Sequence, residues 1–362
     1  MRKLRFVTAA SLFDGHDVSI NIMRRLLQSK GVEVIHLGHN RSAQEVVDAV
    51  LHEDANAVAL SSYQGGHNEY FAYVRELLDA AGAKNVRIFG GGGGVITPKE
   101  IKALHDKGIT RIYSPEDGMK LGLVGIIDDM IERAVHSTLE GFDLKPKQRD
   151  LAKTDIAKII TAIEDGSEID IPSSEKKVPV LGITGTGGAG KSSLIDETLL
   201  RFHRFYPEKR VALISVDPTK KKTQGALLGD RIRLGSANFE NFYIRSLATR
   251  DSGTELSPQI KKTVNFLKEQ DFDFVVHNYA NPDLVGHSGD IQAVQKAVET
   301  VNDCCQRLIP FLLEKDYTII ITADHGNSDE MLMPNGEVSM SHSKNLVPCA
   351  IFSKDTLHQI EP

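Results

Sequence analysis

Residues 1–136 alternate between short apolar runs and helical stretches. The runs are KLRFVTAAS, VEVIHL, NAVALSS, VRIFGG and ITRIY. Between them lie IMRRLLQ, AQEVVDAVLHE, EYFAYVRELLDAAG and PKEIKALHDKG. Strand–helix alternation of this kind predicts a parallel, doubly wound α/β sheet, and such sheets take their ligands beyond the carboxyl ends of the strands. The pattern then changes. Residues 137–177 carry a charged, partly helical stretch (LAKTDIAKIITAIEDG) and a loose one (SEIDIPSSEKK), which predicts a helical linker. Residues 178–270 open with an apolar strand, VPVLGIT, then a glycine-rich loop, a helix and a second strand, VALISVDPT. Residues 271–362 place polar clusters after two further apolar strands, FDFVV and YTIIIT.

Bulk properties narrow the picture a little. A chain of 362 residues holds two or three domains. It is 41% hydrophobic and 25% charged, ordinary for a globular protein. A net charge of −6 gives no general attraction to nucleic acid or to an anionic membrane. No apolar run is long enough to predict a membrane span. The opening MRKLRFVTAASLFDGHD reads as a first strand rather than a signal peptide, because its apolar run is short and soon meets Asp14. Cys304, Cys305 and Cys349 lack CxxC spacing, so a reducing compartment, the cytoplasm, is expected.

Three features of the first segment fall at strand ends. DGHD (Asp14–Asp17) follows the first strand, SSYQGGH (Ser61–His67) the third, and FGGGGGVI (Phe89–Ile96) the fourth. An Asp two residues before a His can accept its ring N–H and fix its tautomer, leaving the other nitrogen to ligate a metal. A glycine run lets backbone approach a large ligand closely. His16 alone reads as a loop histidine, but the three features together read as a site. The segment resembles the cobalamin-binding domain of acyl-CoA mutases, most closely the fused isobutyryl-CoA mutase family, in which a G-protein chaperone follows it. The resemblance implies a flavodoxin-like domain binding cobalamin. It implies His16 as lower axial ligand to cobalt, Asp14 as its hydrogen-bond partner, Ser61 against the displaced nucleotide tail, and Gly90, Gly91 and Gly92 lining the tail's channel. Val18-Ser19 stands where many members of the wider family have a glycine after DxHxx.

The second segment contains a complete GxxxxGK[ST] motif at Gly185, Gly190, Lys191 and Ser192. Its backbone N–H groups and helix N-terminus are expected to hold phosphates, with Lys191 on the outer phosphates and Ser192 on Mg²⁺. Asp217, ending the next strand, is a further magnesium ligand candidate. GALLGDRIRL and YIRSLATR resemble the metallochaperone G-proteins that service acyl-CoA mutases, which implies GTP with Mg²⁺ and places Asp217 and Asp230 near the metal and switch region. No NKxD motif and no switch glutamate follow. Guanine specificity is therefore not read from these residues, and the expectation is weak binding of a nucleotide triphosphate with slow turnover.

In the third segment NPDLVGH supplies Asp283 and His287, ITADHGN supplies Asp324 and His325, and MSHSKN supplies His342. Carboxylate with imidazole suits Mn²⁺ or Zn²⁺. Residues 258–355 resemble the C-terminal part of cofactor-independent phosphoglycerate mutase, in the alkaline-phosphatase superfamily. The resemblance implies that Asp283, His287 and His342 hold one metal, and that Asp324 and His325 hold part of another. In that family the other ligands and the serine nucleophile come from an N-terminal part with no counterpart here.

The chain thus reads as two unrelated proteins joined near residues 265–277. The expected fold class is α/β throughout: a flavodoxin-like cobalamin domain (1–136), a linker (137–177), a truncated P-loop NTPase segment (178–270) and a truncated alkaline-phosphatase-like segment (271–362). The expected function is the cobalamin- and nucleotide-binding portion of an acyl-CoA mutase and its chaperone, joined to a metal-binding segment, with an acyl-CoA mutase subunit as partner. The alternative is a manganese-dependent phosphoglycerate mutase-type isomerase, inactive as truncated.

Overall fold

The computed structural model describes residues 3–16, 18–144, 151–169, 178, 180–184, 191–217, 225–228, 231, 234, 239–250, 260–269, 274–279, 285, 289–314, 317–323, 326, 328–333, 335–339, 343, 345–347, 349–353 and 357–359. The chain divides into two compact units. The first comprises Met1–Pro146, Leu151–Ile169 and Thr219–Ile232; the second comprises Lys147–Asp150, Asp170–Pro218 and Arg233–Pro362.

The first unit follows the predicted alternation. Its elements are β1 (Arg5–Ser11), α1 (Val18–Ser29), β2 (Glu33–Arg41), α2 (Ala43–His52), β3 (Ala57–Ser61), α3 (His67–Ala80), β4 (Arg87–Gly91), α4 (Pro98–Asp106), β5 (Arg111–Tyr113), α5 (Pro115–Ala134) and α6 (Lys153–Glu164). The sheet runs β5-β4-β3-β1-β2, every pair parallel, and a strand from much later in the chain, Ala226–Leu228, joins outside β2. All residues of β1 and β3 are buried, as a sheet covered on both faces requires. Phe6, Val34, Ala57, Ala59 and Phe89 meet Leu27 of α1 and Ile126, Ile127 and Met130 of α5 in one core. Ser42, Thr97 and Ser114 start α2, α4 and α5, each in a reciprocal capping box with Glu45, Glu100 and Asp117. These caps were written in the sequence as S/T-x-x-E/D.

Behind this sheet lies a buried ion cluster. The Arg5 guanidinium donates to Glu33 at 2.7 Å and to Glu164 at 3.2 Å, and its Nη1 lies 3.5 Å from the Glu53 carboxylate. Arg231 donates to Glu53 at 3.3 Å and to Nδ1 of His52 at 3.1 Å. Burial works against the Arg5 charge, but attraction from Glu164, Glu33 and Glu53 outweighs it and raises the guanidinium pKa. Burial, with Arg231 and Lys153 nearby, pushes His52 well below its ordinary value, so its ring is neutral and Nδ1 accepts.

The second unit contains β6 (Val180–Thr184), α7 (Lys191–Phe205), β7 (Val211–Asp217), β9 (Phe242–Ala248), α8 (Ile260–Glu269), β10 (Phe274–Tyr279), α9 (Ile291–Glu314), β11 (Ile319–Thr322), β12 (Cys349–Phe352) and β13 (Leu357–Gln359); β8 is Ala226–Leu228 in the first unit. Its strands form one sheet, β13-β12-β11-β6-β10-β7-β9. From β11 to β9 the pairing is parallel; β12 and β13 are antiparallel additions. The strand leading into the glycine-rich loop, β6, is therefore flanked by β10 and β11, and the second and third sequence segments share a sheet. Ile183, Ile195, Leu199, Leu213, Phe242 and Ile244 are among the core residues beneath it. Among the described residues no helix is long and apolar enough to cross a membrane.

Candidate functional site

The strand order of the first unit reverses at β1, which lies between β2 and β3. The carboxyl ends of β1 and β3 therefore flank the crevice where open parallel sheets bind ligands. Asp14 stands in the loop after β1, its side chain fully buried. One carboxylate oxygen accepts the backbone N–H and ring Nδ1–H of His16, both at 2.9 Å. The other accepts the backbone N–H of Tyr63, in the loop after β3, at 2.5 Å. Burial would raise this carboxyl, but the bonds from Tyr63 and His16 outweigh it and hold it below the usual carboxylate range. An ionised Asp14 can only accept, so His16 Nδ1 is the protonated nitrogen. Nε2 then carries the free lone pair. The His16 side chain is 60% exposed, and Nε2 has no hydrogen-bond partner among the described residues.

Phe13, just before this pair, sits in the left-handed region at φ 64°, a conformation that a bulky residue rarely adopts. Its N–H donates to the Asn40 side chain at 2.8 Å, and its ring is 82% exposed. Backbone strain of this kind concentrates at functional loops. Tyr63 also bonds the Ser19 hydroxyl through its own OH at 2.8 Å. Sequence reading missed Tyr63, Phe13, Asn40 and Ser19. The nearest signal was Tyr63's place inside SSYQGGH; nothing local marks Asn40, which meets Phe13 only across the strand pair.

Below this loop a cavity of about 280 Å³ runs between α1 and α5 over the ends of β3 and β4. Met23, Phe89, Ile126 and Met130 supply apolar walls, and Ser61 and Gly90–Gly93 also line it. The Ser61 hydroxyl is buried and has no hydrogen-bond partner among the described residues. The three glycines serve different ends. A Cβ on Gly90 would strike Ile112 at 2.6 Å and Phe71 at 2.8 Å, and one on Gly92 would lie 2.0 Å from the Ser62 carbonyl oxygen. Both are needed for packing. A Cβ on Gly91 would meet nothing closer than the Tyr113 carbonyl oxygen at 3.7 Å. Gly91 lies on the same strand face as Phe89, two residues earlier, so its missing side chain leaves room in the cavity.

The structure thus brings Asp14, His16, Ser61 and Gly90–Gly92 to one edge of one sheet. In the second unit, β6 and β7 run parallel on either side of β10, so Ser192, in the first turn of α7, and Asp217, ending β7, share a sheet edge. Ser192 is buried. Gly185, Gly190, Asp230, Asp283, His287, Asp324, His325 and His342 lie outside the described residues, as does the Lys191 side chain.

Comparison with known proteins places family matches on these regions. Residues 4–120 match the B12 binding domain. Residues 170–296 match the methylmalonyl Co-A mutase-associated GTPase MeaB. Residues 240–361 match the metalloenzyme superfamily, overlapping the GTPase match at residues 240–296. Fused isobutyryl-CoA mutase of Geobacillus kaustophilus is 53% identical over 291 residues, which cover 75% of this chain and 26% of that protein. The Cupriavidus metallidurans enzyme is 51% identical over 286 residues, 76% of this chain and 26% of its own length. The 2,3-bisphosphoglycerate-independent phosphoglycerate mutase of Moorella thermoacetica is 41% identical over 102 residues, 28% of this chain and 20% of that enzyme. The chain spans about a quarter of the length of the fused mutases and a fifth of that phosphoglycerate mutase. It is similar to fused isobutyryl-CoA mutase across its B12 binding and MeaB GTPase regions, and to 2,3-bisphosphoglycerate-independent phosphoglycerate mutase across its metalloenzyme region.

Proposed function

We propose that the first unit binds cobalamin and that His16, through Nε2, would hold its cobalt. The observation that carries this is the buried Asp14 carboxylate, which fixes the His16 tautomer and leaves Nε2 exposed. When bound, the cofactor supplies radical chemistry through its cobalt–carbon bond. The chain's own residues bind and orient. Asp14 ties the His16 loop to the Tyr63 backbone, so the ligand nitrogen is presented without reorganisation. The cavity between α1 and α5 would take the nucleotide tail, and Ser61, whose buried hydroxyl has no partner among the described residues, would meet it there. Acyl-CoA isomerisation belongs to a partner, an acyl-CoA mutase domain or subunit.

Titration with cobalamin, followed by visible absorbance, tests this. The wild-type chain is expected to give a base-off, histidine-on spectrum. Gly91→Val is expected to keep the fold, because a Cβ there comes no closer than an ordinary contact with the Tyr113 carbonyl oxygen at 3.7 Å, yet to weaken cobalamin binding by taking up room in the preformed cavity. Unchanged affinity in a folded Gly91→Val chain removes the tail from this cavity.

In the second unit the proposed ligand is GTP with Mg²⁺, held by the Gly185–Ser192 loop with Asp217 at the same sheet edge. Without a switch glutamate or NKxD, binding is weak and turnover slow. Lys191→Ala is expected to abolish GTP binding by equilibrium dialysis, since that lysine is the cation of the loop. Fast GTP-selective hydrolysis by the wild-type chain contradicts the slow-turnover reading. The metal proposed for the third segment is Mn²⁺ or Zn²⁺ on Asp283, His287 and His342.

A further inference from the structure

Tyr63 is anchored at its backbone and tied loosely at its tip. Its N–H is held by the buried Asp14 carboxylate at 2.5 Å, which fixes the main chain of the loop after β3. Its half-buried side chain reaches across to α1, where the phenol OH and the hydroxyl of Ser19, in the first turn, lie 2.8 Å apart. The ring stands 5.8 Å from that of His16, tilted by 45°. It also rests on Gly93, where a Cβ would come within 3.1 Å of the ring. Tyr63, Ser19 and Gly93 all line the cavity between α1 and α5. The tie therefore lies on the side of the cavity nearest His16.

We propose that the Tyr63–Ser19 hydrogen bond is a latch on this cavity, closed as the structure shows it, which the nucleotide tail of cobalamin has to open. The proposal rests on the reading above, in which His16 holds cobalt and the cavity takes the tail. With one end of the ligand at His16 and the other in the cavity, the chain that links them passes Tyr63. A half-buried bond between two neutral hydroxyls costs little to break, because the freed groups can bond water or the polar linker of the tail. The moving part is a single side chain changing rotamer. Asp14 keeps the backbone in place, and glycine at position 93 leaves the ring no side chain to pass. A closed latch lowers the fraction of chains ready to bind and so slows uptake.

Stopped-flow absorbance on the full chain tests this with cobalamin and with cobinamide, the corrinoid without the nucleotide tail. Tyr63→Phe removes only the phenol OH, and Ser19→Ala only the hydroxyl. Each is expected to speed cobalamin uptake about fivefold, the scale of one net hydrogen bond, and the double variant no further than either alone. Cobinamide uptake is expected to match the wild type in every variant. Unchanged or slower cobalamin uptake in either single variant overturns the latch, and slower uptake of both corrinoids makes the bond a brace that shapes the loop. Equal acceleration of cobinamide overturns it too, because the tail is then not what opens it. A wild-type chain that takes up no cobalamin removes the cofactor reading itself, and the latch with it.

Discussion

Replacing His16 by alanine is expected to abolish the histidine-on cobalamin spectrum and to weaken cobalamin binding by at least ~100-fold, since even the partners of a metal-ligating histidine are worth 10–100-fold. The expectation rests on a division of labour in the loop after β1. Asp14 is buried and ionised, and it uses its oxygens on the His16 ring, the His16 N–H and the Tyr63 N–H. His16 is the exposed member, with Nε2 turned to no other described group. Loss of the ring therefore costs the ligand without unpicking the loop, because Asp14 still bridges to Tyr63. Circular dichroism and unfolding of His16→Ala should match the wild type, while the absorbance titration fails. An unchanged spectrum and affinity would falsify the axial-ligand role. Asp14→Asn separates ligand from support: the amide can donate as well as accept, which frees the histidine tautomer, so binding should weaken by about 10–100-fold while the histidine-on spectrum survives at saturation.

Arg5→Met is expected to destabilise the first unit strongly, by about 3–5 kcal/mol, because it removes a buried guanidinium that pairs with three buried carboxylates. Arg5 is 3% exposed and pairs with Glu33, Glu53 and Glu164, whose side chains are almost fully buried. Domains of this size have only about 5–15 kcal/mol of stability to lose. Denaturant unfolding of the full chain, watched through a probe in the first unit, should show a much lower midpoint for Arg5→Met. Arg5→Lys should fall between, since a lysine keeps the charge and cannot reach several carboxylates with a planar fork. A midpoint unchanged in Arg5→Met would mean that water reaches the carboxylates and the cluster holds nothing together.

The His16 loop and the Arg5 cluster differ in how far the chain itself reveals them. The His16 loop is legible in the chain because its parts are local: DGHD spans four residues, and its place after an apolar run sets it at a strand end. The glycine run and the P-loop are legible for the same reason, since short-range backbone geometry demands those residue types in that order. The parallel sheet of the first unit follows from the alternation of strand and helix in residues 1–136, which the observed sheet bears out.

The ion cluster has no such signature. Arg5 and Glu164 are 159 positions apart, and Arg231 meets Glu53 across 178. A charged residue in a strand or at a helix end looks the same in sequence whether it faces water or a buried partner, because periodicity records which face a residue is on and not what arrives there. The same limit applies to the glycines. Sequence marks Gly90, Gly91 and Gly92 alike, whereas Phe71, Ile112 and the Ser62 carbonyl make two of them obligatory and leave the third open to the cavity. It applies again to β8, three residues within GALLGDRIRL that sequence reading did not mark as a strand and that pair with β2 across nearly two hundred positions. Sequence by itself determined the strand–helix alternation of residues 1–136, the strand-end motifs and the family likeness of each region, all properties of contiguous residues. Tertiary packing decided the partners of Asp14 and Arg5, the pairing of β8 with β2 and the placing of β6 between β10 and β11. Each of these depends on which distant surfaces burial and charge neutralisation bring into contact.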